Sequence, residues 1–230
     1  MIIAVHQPNY IPWLGYFNKI LKADIFVFLD NVQFSKNSYI NRVQIAGHNE
    51  PMWLTQPVSM KGKFGDLISE VTFADDKWKE KHRKTIEQYY RKHPYYDVVG
   101  ELLDKYGTEG RRDLSEFNIE LNRAVCMALK LETKTVVSSE LGLPEYDDPT
   151  ERLVGIVRHL GGKTYLSGRG GAKYHEEKLF EENGIRIEYT NSAIKPYAQF
   201  KREQFIGGLS VLDAICNVGV EGVRELLSGS

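Results

Sequence analysis

The sequence is short of cysteine. Cys126 and Cys216 are its two, too few for a disulfide framework or a four-cysteine zinc site. Each stands in an apolar run, Ala124 to Leu129 and Leu212 to Cys216, so both are expected to be small buried hydrophobes rather than nucleophiles. An excess of one charge is lacking too. The 30 basic and 31 acidic side chains leave a net charge of −1. That gives no global reason to expect nucleic acid or an anionic membrane as partner. No stretch approaches the ~18–20 apolar residues of a membrane span. The start, Met1-Ile2-Ile3-Ala4-Val5-His6-Gln7-Pro8, has no basic region, and its apolar run is too short for a signal peptide. The cytoplasm is the expected compartment. There is no internal repeat and no low-complexity segment.

What is present is ordinary for a globular chain: 42% hydrophobic and 27% charged residues in 230. At this size roughly 70–75% of the unfolded surface can be buried. A single α/β domain over residues 1–230 is expected. Ile2 to Val5 and Ile25 to Leu29 are short apolar runs without period, the signature of strands buried on both faces. Between them Leu14, Phe17, Ile20 and Leu21 fall on one face of a helix over 13–22, after Pro8 and Pro12 force a loop. Residues 1–30 thus read as a βαβ unit. Asn41 to Ile45 and Met52 to Val58 suit a hairpin.

Three helices follow. They are expected at 78–92, at 97–105 ended by Gly107, and at 115–131 opened by Ser115 or Leu114. Strands are then expected at 135–137, 164–167 and 185–189. Between these lie helices at 149–160, capped by Asp148 and stopped by Gly161-Gly162, and at 175–183, capped by Gly184. The last segment is helical over 210–217 and 220–227. The pattern predicts a mostly parallel, Rossmann-like sheet with a helical insertion or subdomain near 75–132.

Three places carry the residue types of a site. The first is His6-Gln7-Pro8-Asn9-Tyr10, at the carboxyl end of the first strand, where open parallel sheets bind ligands. His6, Gln7, Asn9 and Tyr10 can each donate or accept a hydrogen bond. The second is Asp30-Asn31-Val32-Gln33 with Lys36 and Arg42. Asp30 closes the second strand on the same edge, where it could orient His6, hold a metal or meet a ribose hydroxyl. Asn31, Gln33, Lys36 and Arg42 are candidate substrate contacts. A capping role for Asp30 in a polar loop fits equally. The third is Ser167-Gly168-Arg169-Gly170-Gly171, between a strand and a helix. Exposed backbone N–H groups and a helix N-terminus suit a phosphate there, although the Gly-Lys-Ser/Thr ending of a Walker loop is missing. A tight turn fits as well.

Other features read as structure. His82 and His93 share a helix face but stand ~16 Å apart, too far to hold one metal ion. The seven Lys or Arg over 77–93, against two Glu, suit a solvated face more than a nucleic-acid surface. Asp147-Asp148 resembles a metal pair but sits where an N-cap is needed. No metal site and no cofactor can be named.

The run His6-Gln7-Pro8-Asn9-Tyr10-Ile11-Pro12-Trp13-Leu14-Gly15-Tyr16-Phe17 resembles the opening signature of the WbqC-like protein family. Tyr165-Leu166-Ser167-Gly168 with Gly170-Gly171 resembles its second block. Pro196-Tyr197-Ala198-Gln199-Phe200, with Leu209 to Asp213 and Asn217-Val218-Gly219, resembles its third. Ala214-Ile215-Cys216 departs from the pattern, where larger apolar residues are expected. The resemblance implies that His6, Gln7, Pro8, Asn9, Gly15, Ser167, Gly168, Gly170, Gly171, Pro196, Tyr197, Ser210, Asp213 and Asn217 are motif positions. It also implies a place among proteins of O-antigen and other bacterial surface-polysaccharide synthesis, and so work on nucleotide-linked sugars.

The first βαβ unit is more distantly similar to nucleotidylyltransferases of the HIGH-motif class. The second His-Gly-His element is absent, since the chain reads Pro12-Trp13-Leu14-Gly15-Tyr16. The expectation is a transferase acting on a nucleotide-linked amino sugar, by acyl or aminoacyl transfer to its amine. His6 would be general base and Asp30 its orienter. Gln7 and Asn9 would hold substrate or an oxyanion, and Gly168 to Gly171 a phosphate. The alternatives are a non-catalytic nucleotide- or sugar-binding scaffold, and a HIGH-class-like nucleotidyltransferase. The expected partner is a small, phosphate-bearing substrate, with no nucleic acid and no membrane span.

Overall fold

The computed structural model describes residues 1–59, 66–106, 113–168, 170, 176–190 and 194–229. Its elements in chain order are β1 (Ile2–His6), α1 (Leu14–Leu21), β2 (Ile25–Phe28), β3 (Arg42–Ala46), β4 (Pro51–Thr55), β5 (Val58–Ser59) and β6 (Thr72–Phe73). Helices α2 (Lys77–Tyr90), α3 (Tyr96–Tyr106) and α4 (Leu114–Ala128) follow. The chain then continues with β7 (Lys134–Val137), α5 (Pro149–His159), β8 (Thr164–Ser167), α6 (Glu177–Glu182), β9 (Arg186–Tyr189) and α7 (Val211–Ser228).

Five strands form one parallel sheet in the order β7-β2-β1-β8-β9. The chain moves outward from β1 to β2 and β7, then returns to the other side of β1 for β8 and β9. The reversal lies between β1 and β8, and ligands of open parallel sheets bind at such a point beyond the carboxyl ends. His6 ends β1 there, and Ser167 ends β8.

The two sheet faces follow from the alternation of side chains along a strand. Ala4, Phe26, Phe28 and Leu166 face a large apolar cluster with α1, α4 and α7. Ile3, Val5, Ile25, Val27 and Tyr165 face a smaller one with α5 and α6. Both faces are covered, which is why these strands carry no polar period. Trp78 and Ile86 of α2, Val99 and Leu102 of α3, and Leu121 of α4 belong to the same large cluster.

Several boundaries differ from expectation. The strand expected over 52–58 stops at Thr55, because Pro57 has no N–H for the ladder; Val58–Ser59 pairs with Thr72–Phe73 instead. Helix α4 is capped by Asp113, whose carboxylate accepts from Ser115 N at 2.7 Å, rather than by Ser115 or Leu114. Leu21 is 37% exposed, while Leu14, Phe17 and Ile20 are buried. In α1 the buried face turns instead onto Tyr16 and Lys19. Helix α6 is only six residues long. The expected stop at Gly107 and start at His175 lie outside the described residues. Asp148 caps α5 as expected, accepting from Thr150 N and Glu151 N.

Candidate active site

The site is built on the loop that leaves β1. Five of its carbonyls meet a fixed donor. Tyr16 Oη donates to Gln7 O at 3.0 Å. Asn118 Nδ2 donates to Pro8 O at 3.0 Å and to Ile40 O at 2.7 Å. Asn122 Nδ2, one turn further along α4, donates to Asn9 O at 2.8 Å. Ser210 Oγ donates to Ile11 O, and Val211 N to Pro12 O, both at 2.8 Å. Asn118 Oδ1 in turn accepts from Gln56 Nε2 at 3.2 Å, and Gln56 and Asn41 are bonded to each other. Asn41, Gln56, Asn118 and Asn122 are all buried. A loop with its backbone satisfied in this way is rigid, as a preorganised site requires.

His6 is partly buried at the strand end. Its Nδ1 lies 3.1 Å from Gln7 O. A carbonyl only accepts, so Nδ1 carries the hydrogen and Nε2 presents its lone pair. Tyr16 and Trp13 stand edge-on to the imidazole, with ring centroids 4.8 and 6.3 Å away. Burial, helped by the positive Lys19, lowers the imidazole pKa to about 3. His6 is therefore neutral throughout the physiological range, and alone it is a weaker base than the expected role of general base requires.

Lys19, in α1, is the group that local spacing concealed. It is only 5% exposed and donates to Val5 O at 2.7 Å. Its Nζ lies 5.9 Å from the centre of the Tyr165 ring, on the strand across the reversal point. No carboxylate among the described residues pairs with it. Burial lowers its pKa to about 7, which places a proton-exchanging amine under the strand that carries His6.

Asp30 does not orient His6. It is buried, and its carboxylate accepts from Ser138 Oγ at 2.9 Å, Ser139 N at 3.0 Å and Ser139 Oγ at 2.7 Å. Asn31 Oδ1 shares the Ser138 hydroxyl at 2.6 Å. These bonds tie the end of β2 to the turn after β7. Gln33 and Lys36 are exposed. Tyr10 turns away from the strand end, and its hydroxyl bonds His82 Nδ1 at 2.9 Å. It lines a cavity of about 280 Å³ with Trp78, His82, Leu103 and Phe117. Asn9 is buried at 3% exposure, with its carbonyl held by Asn122.

The glycine loop begins at the end of β8, and of the expected phosphate cradle Ser167, Gly168 and Gly170 are described. Ser167 is buried and bonds Gly168 O at 3.1 Å. The next helix, α6, is six residues long and opens on Glu176 and Glu177. Two carboxylates at a short helix start repel an anion. Arg169 and Gly171 lie outside the described residues. Open space surrounds Gly168 and Gly170 where a Cβ would stand.

Arg42, on β3, joins an aromatic wall that continues from His6. Trp13 and Tyr39 have ring centroids 4.9 Å apart, and Tyr39 and Trp53 5.6 Å. The Arg42 guanidinium lies 4.1 Å over the Trp53 ring. Tyr10 N donates to Tyr39 O at 3.0 Å, which fixes the wall to the motif loop. Trp13 also lines a cavity of about 280 Å³ with Gly15, Ile194, Tyr197 and Phe205.

The third motif block locks that cavity onto α7. Asp213 is buried and accepts from Tyr90 Oη at 3.0 Å, Tyr197 Oη at 2.6 Å and Gln199 Nε2 at 2.9 Å. Asn217 Oδ1 accepts from Phe200 N at 2.6 Å. The first and third motif blocks thus meet through Ser210 and the start of α7, and the described part of the second ends β8, the strand beside β1. The match to a family model is continuous, running over residues 7–225.

The chain belongs to the WbqC-like protein family. An uncharacterized protein of Mycobacterium tuberculosis is 32% identical over 224 residues, which cover 95% of this chain and 94% of that one. No solved structure matches.

In this WbqC-like chain the signature His6-Gln7-Pro8-Asn9 is the rim of a rigid loop. Among the described residues, His6 Nε2 and the half-buried Gln7 amide are the polar groups this loop leaves for a ligand at the reversal point. Sequence reading missed Lys19, Tyr39, Trp53, Asn118 and Asn122. The signal for the two asparagines was their i, i+4 spacing on the α4 face adjoining its apolar positions. Lys19 stands between Asn18 and Ile20, and nothing in that local sequence marks it as buried. The cysteines are as expected. Both are buried, and burial pushes the Cys126 thiol up to about 12. Among the described residues no cluster of His, Cys, Asp or Glu could hold a metal ion, and no helix is long and apolar enough to cross a membrane.

Proposed function

We propose that this chain is a transferase of bacterial surface-polysaccharide precursor synthesis, acting on a nucleotide-linked amino sugar by acyl or aminoacyl transfer to the amine. Family membership supports the setting. The observation that carries the chemistry is the neutral His6, with Nε2 free at the sheet reversal and Lys19 buried behind it.

The sugar amine attacks the donor carbonyl carbon in its uncharged form. A C–N bond forms, the carbonyl pair moves to oxygen, and the bond to the leaving group then breaks as that pair returns. The nitrogen loses one proton. His6 Nε2 accepts the hydrogen bond that points the amine's lone pair at the carbonyl. Lys19 is the nearby group whose proton affinity matches neutral pH. Its amine can donate to Val5 O in either protonation state and still gain or lose a proton. The proton-accepting role thus falls on the pair and not on His6 alone.

A panel of nucleotide sugars, acyl-CoA, amino acids and nucleoside triphosphates tests this by thermal shift and by mass analysis of products. A nucleotide amino sugar should stabilise the protein; at a hundred times its Kd the gain is about 2.7 kcal/mol. With the right donor it should emerge acylated on nitrogen. Turnover should rise with pH through an apparent pKa near 7, and Lys19→Met should remove that limb. Binding without any product, in the presence of every donor class, would move the reading to a scaffold. Mg²⁺-dependent release of pyrophosphate from a triphosphate would move it to nucleotidyl transfer.

A further inference from the structure

The wall Trp13–Tyr39–Trp53 groups two part-exposed aromatic rings side by side. Tyr39 is 37% and Trp53 38% exposed. They stand adjacent, and both are held on backbone that the buried amides fix in place. Tyr39 follows the loop bonded to Asn41, and Trp53 is registered opposite Gln44 on the β3–β4 hairpin. Grouped exposed rings of this kind mark a surface that meets something.

The second observation is Arg42. Its guanidinium rests on Trp53, and its Nε is buried without a hydrogen-bond partner. Among the described residues no carboxylate pairs with it. Guanidinium groups that are half-buried ordinarily find an anion, since desolvation without a partner is costly. Part-exposed rings inclined 56° to each other, beside an unpaired, forked cation, suit a planar base with an attached phosphate. The base stacks on one ring and meets the other edge-on, and the guanidinium takes phosphate oxygens.

We propose that this wall binds the nucleoside diphosphate portion of the substrate, with the base on Tyr39 and Trp53 and the diphosphate at Arg42. The sugar then extends past Trp13 towards His6. This rests on the reading of the substrate as nucleotide-linked, and it moves the phosphate from the glycine loop after β8 to β3. The arrangement fits the geometry. Trp13 is the shared member of the wall and of the His6 surroundings, so a ligand lying along the wall ends at the imidazole.

The probes are UDP, GDP, dTDP and inorganic pyrophosphate, titrated calorimetrically into the full chain. At least one nucleoside diphosphate should bind. Trp53→Ala and Tyr39→Ala should each weaken it about ten-fold or more, the range of one base stack, whereas Trp53→Phe should stay within about three-fold of wild type. Arg42→Ala should weaken nucleoside diphosphates and pyrophosphate alike, and Arg42→Lys should not restore them. Pyrophosphate binding should be indifferent to Tyr39→Ala. Each ring is more than a third exposed, so the variants should remain folded, with a wild-type far-ultraviolet circular dichroism spectrum at the temperature of the titration. Unchanged nucleoside diphosphate affinity in Trp53→Ala and Tyr39→Ala overturns the wall and leaves the nucleotide reading intact. No nucleoside diphosphate binding to the wild type overturns both.

Discussion

At the residue scale, the site is organised by groups that are uncomfortable where they stand. Lys19 is buried with only a carbonyl as partner. Its folded pKa of about 7 lies below the ordinary 10.5. Between those values the unfolded chain holds a proton that the folded chain has shed. The cost of Lys19 is thus full below pH 7 and fades as pH rises towards 10.5. Lys19→Met should therefore raise the melting midpoint at pH 6 while lowering turnover, the mark of a residue kept for function at the expense of stability. A midpoint that falls at pH 6 would make Lys19 a structural strut.

Asp213 is the opposite case, a buried carboxylate with three neutral donors and full satisfaction. Asp213→Asn turns one acceptor into a donor, facing Tyr90 or the pair Tyr197 and Gln199. It should cost about 2–3 kcal/mol in urea unfolding. A loss below about 0.5 kcal/mol would show that the network is not what holds residues 196–210.

At the element scale, α7 is two helices joined at Gly219, which has φ +70° and ψ 178°. A Cβ there would stand 3.0 Å from the Tyr95 ring. Gly219→Ala should cost about 1–2 kcal/mol for backbone conformation, with the ring contact in addition. The break was legible in sequence, since the apolar spacing restarts at Val220 after a glycine. The role of α4 was not. Phe117, Leu121 and Val125 repeat every four residues and are buried as that repeat requires. Asn118 and Asn122 share the same spacing, yet their partners lie 78 to 113 residues away. Asn118→Leu should leave Pro8 O and Ile40 O unpaired and cost about 2–3 kcal/mol. It should also weaken ligand binding, because the loop loses its anchor. A variant that is destabilised but binds normally would separate the anchor from the site.

At the scale of the whole molecule, buried histidines set an acid limit. Burial lowers His82 to about 4 and His6 to about 3, from 6.5. Both stay neutral in the folded state while the unfolded chain takes up protons. The histidine contribution is complete above pH 6.5 and is lost as pH drops towards 4. Urea unfolding at pH 7 and pH 4.5 should show this loss, and His82→Gln should reduce it. An unchanged difference between the two pH values in that variant would exclude His82 as a source. The basic face of α2 should add little to either limit. Lys84 pairs with Glu80, and Arg83 with Glu87 and Asp104, at the surface, where such pairs are worth at most about 1 kcal/mol.

The sequence by itself determined the alternation of strands and helices, the parallel sheet and the edge at which His6 stands. Those features are written in short-range periodicity: unbroken apolar runs for strands buried on both faces, a 3.6-residue repeat for helices, and proline or glycine at their ends. Only the tertiary structure decided which groups meet at that edge. It gave Asp30 to Ser138 and Ser139, sent Tyr10 to His82, put Lys19 under the first strand and aligned Trp13 with Tyr39 and Trp53. These pairings join segments far apart along the chain. No local spacing encodes them, because they arise only when the sheet order brings distant segments side by side.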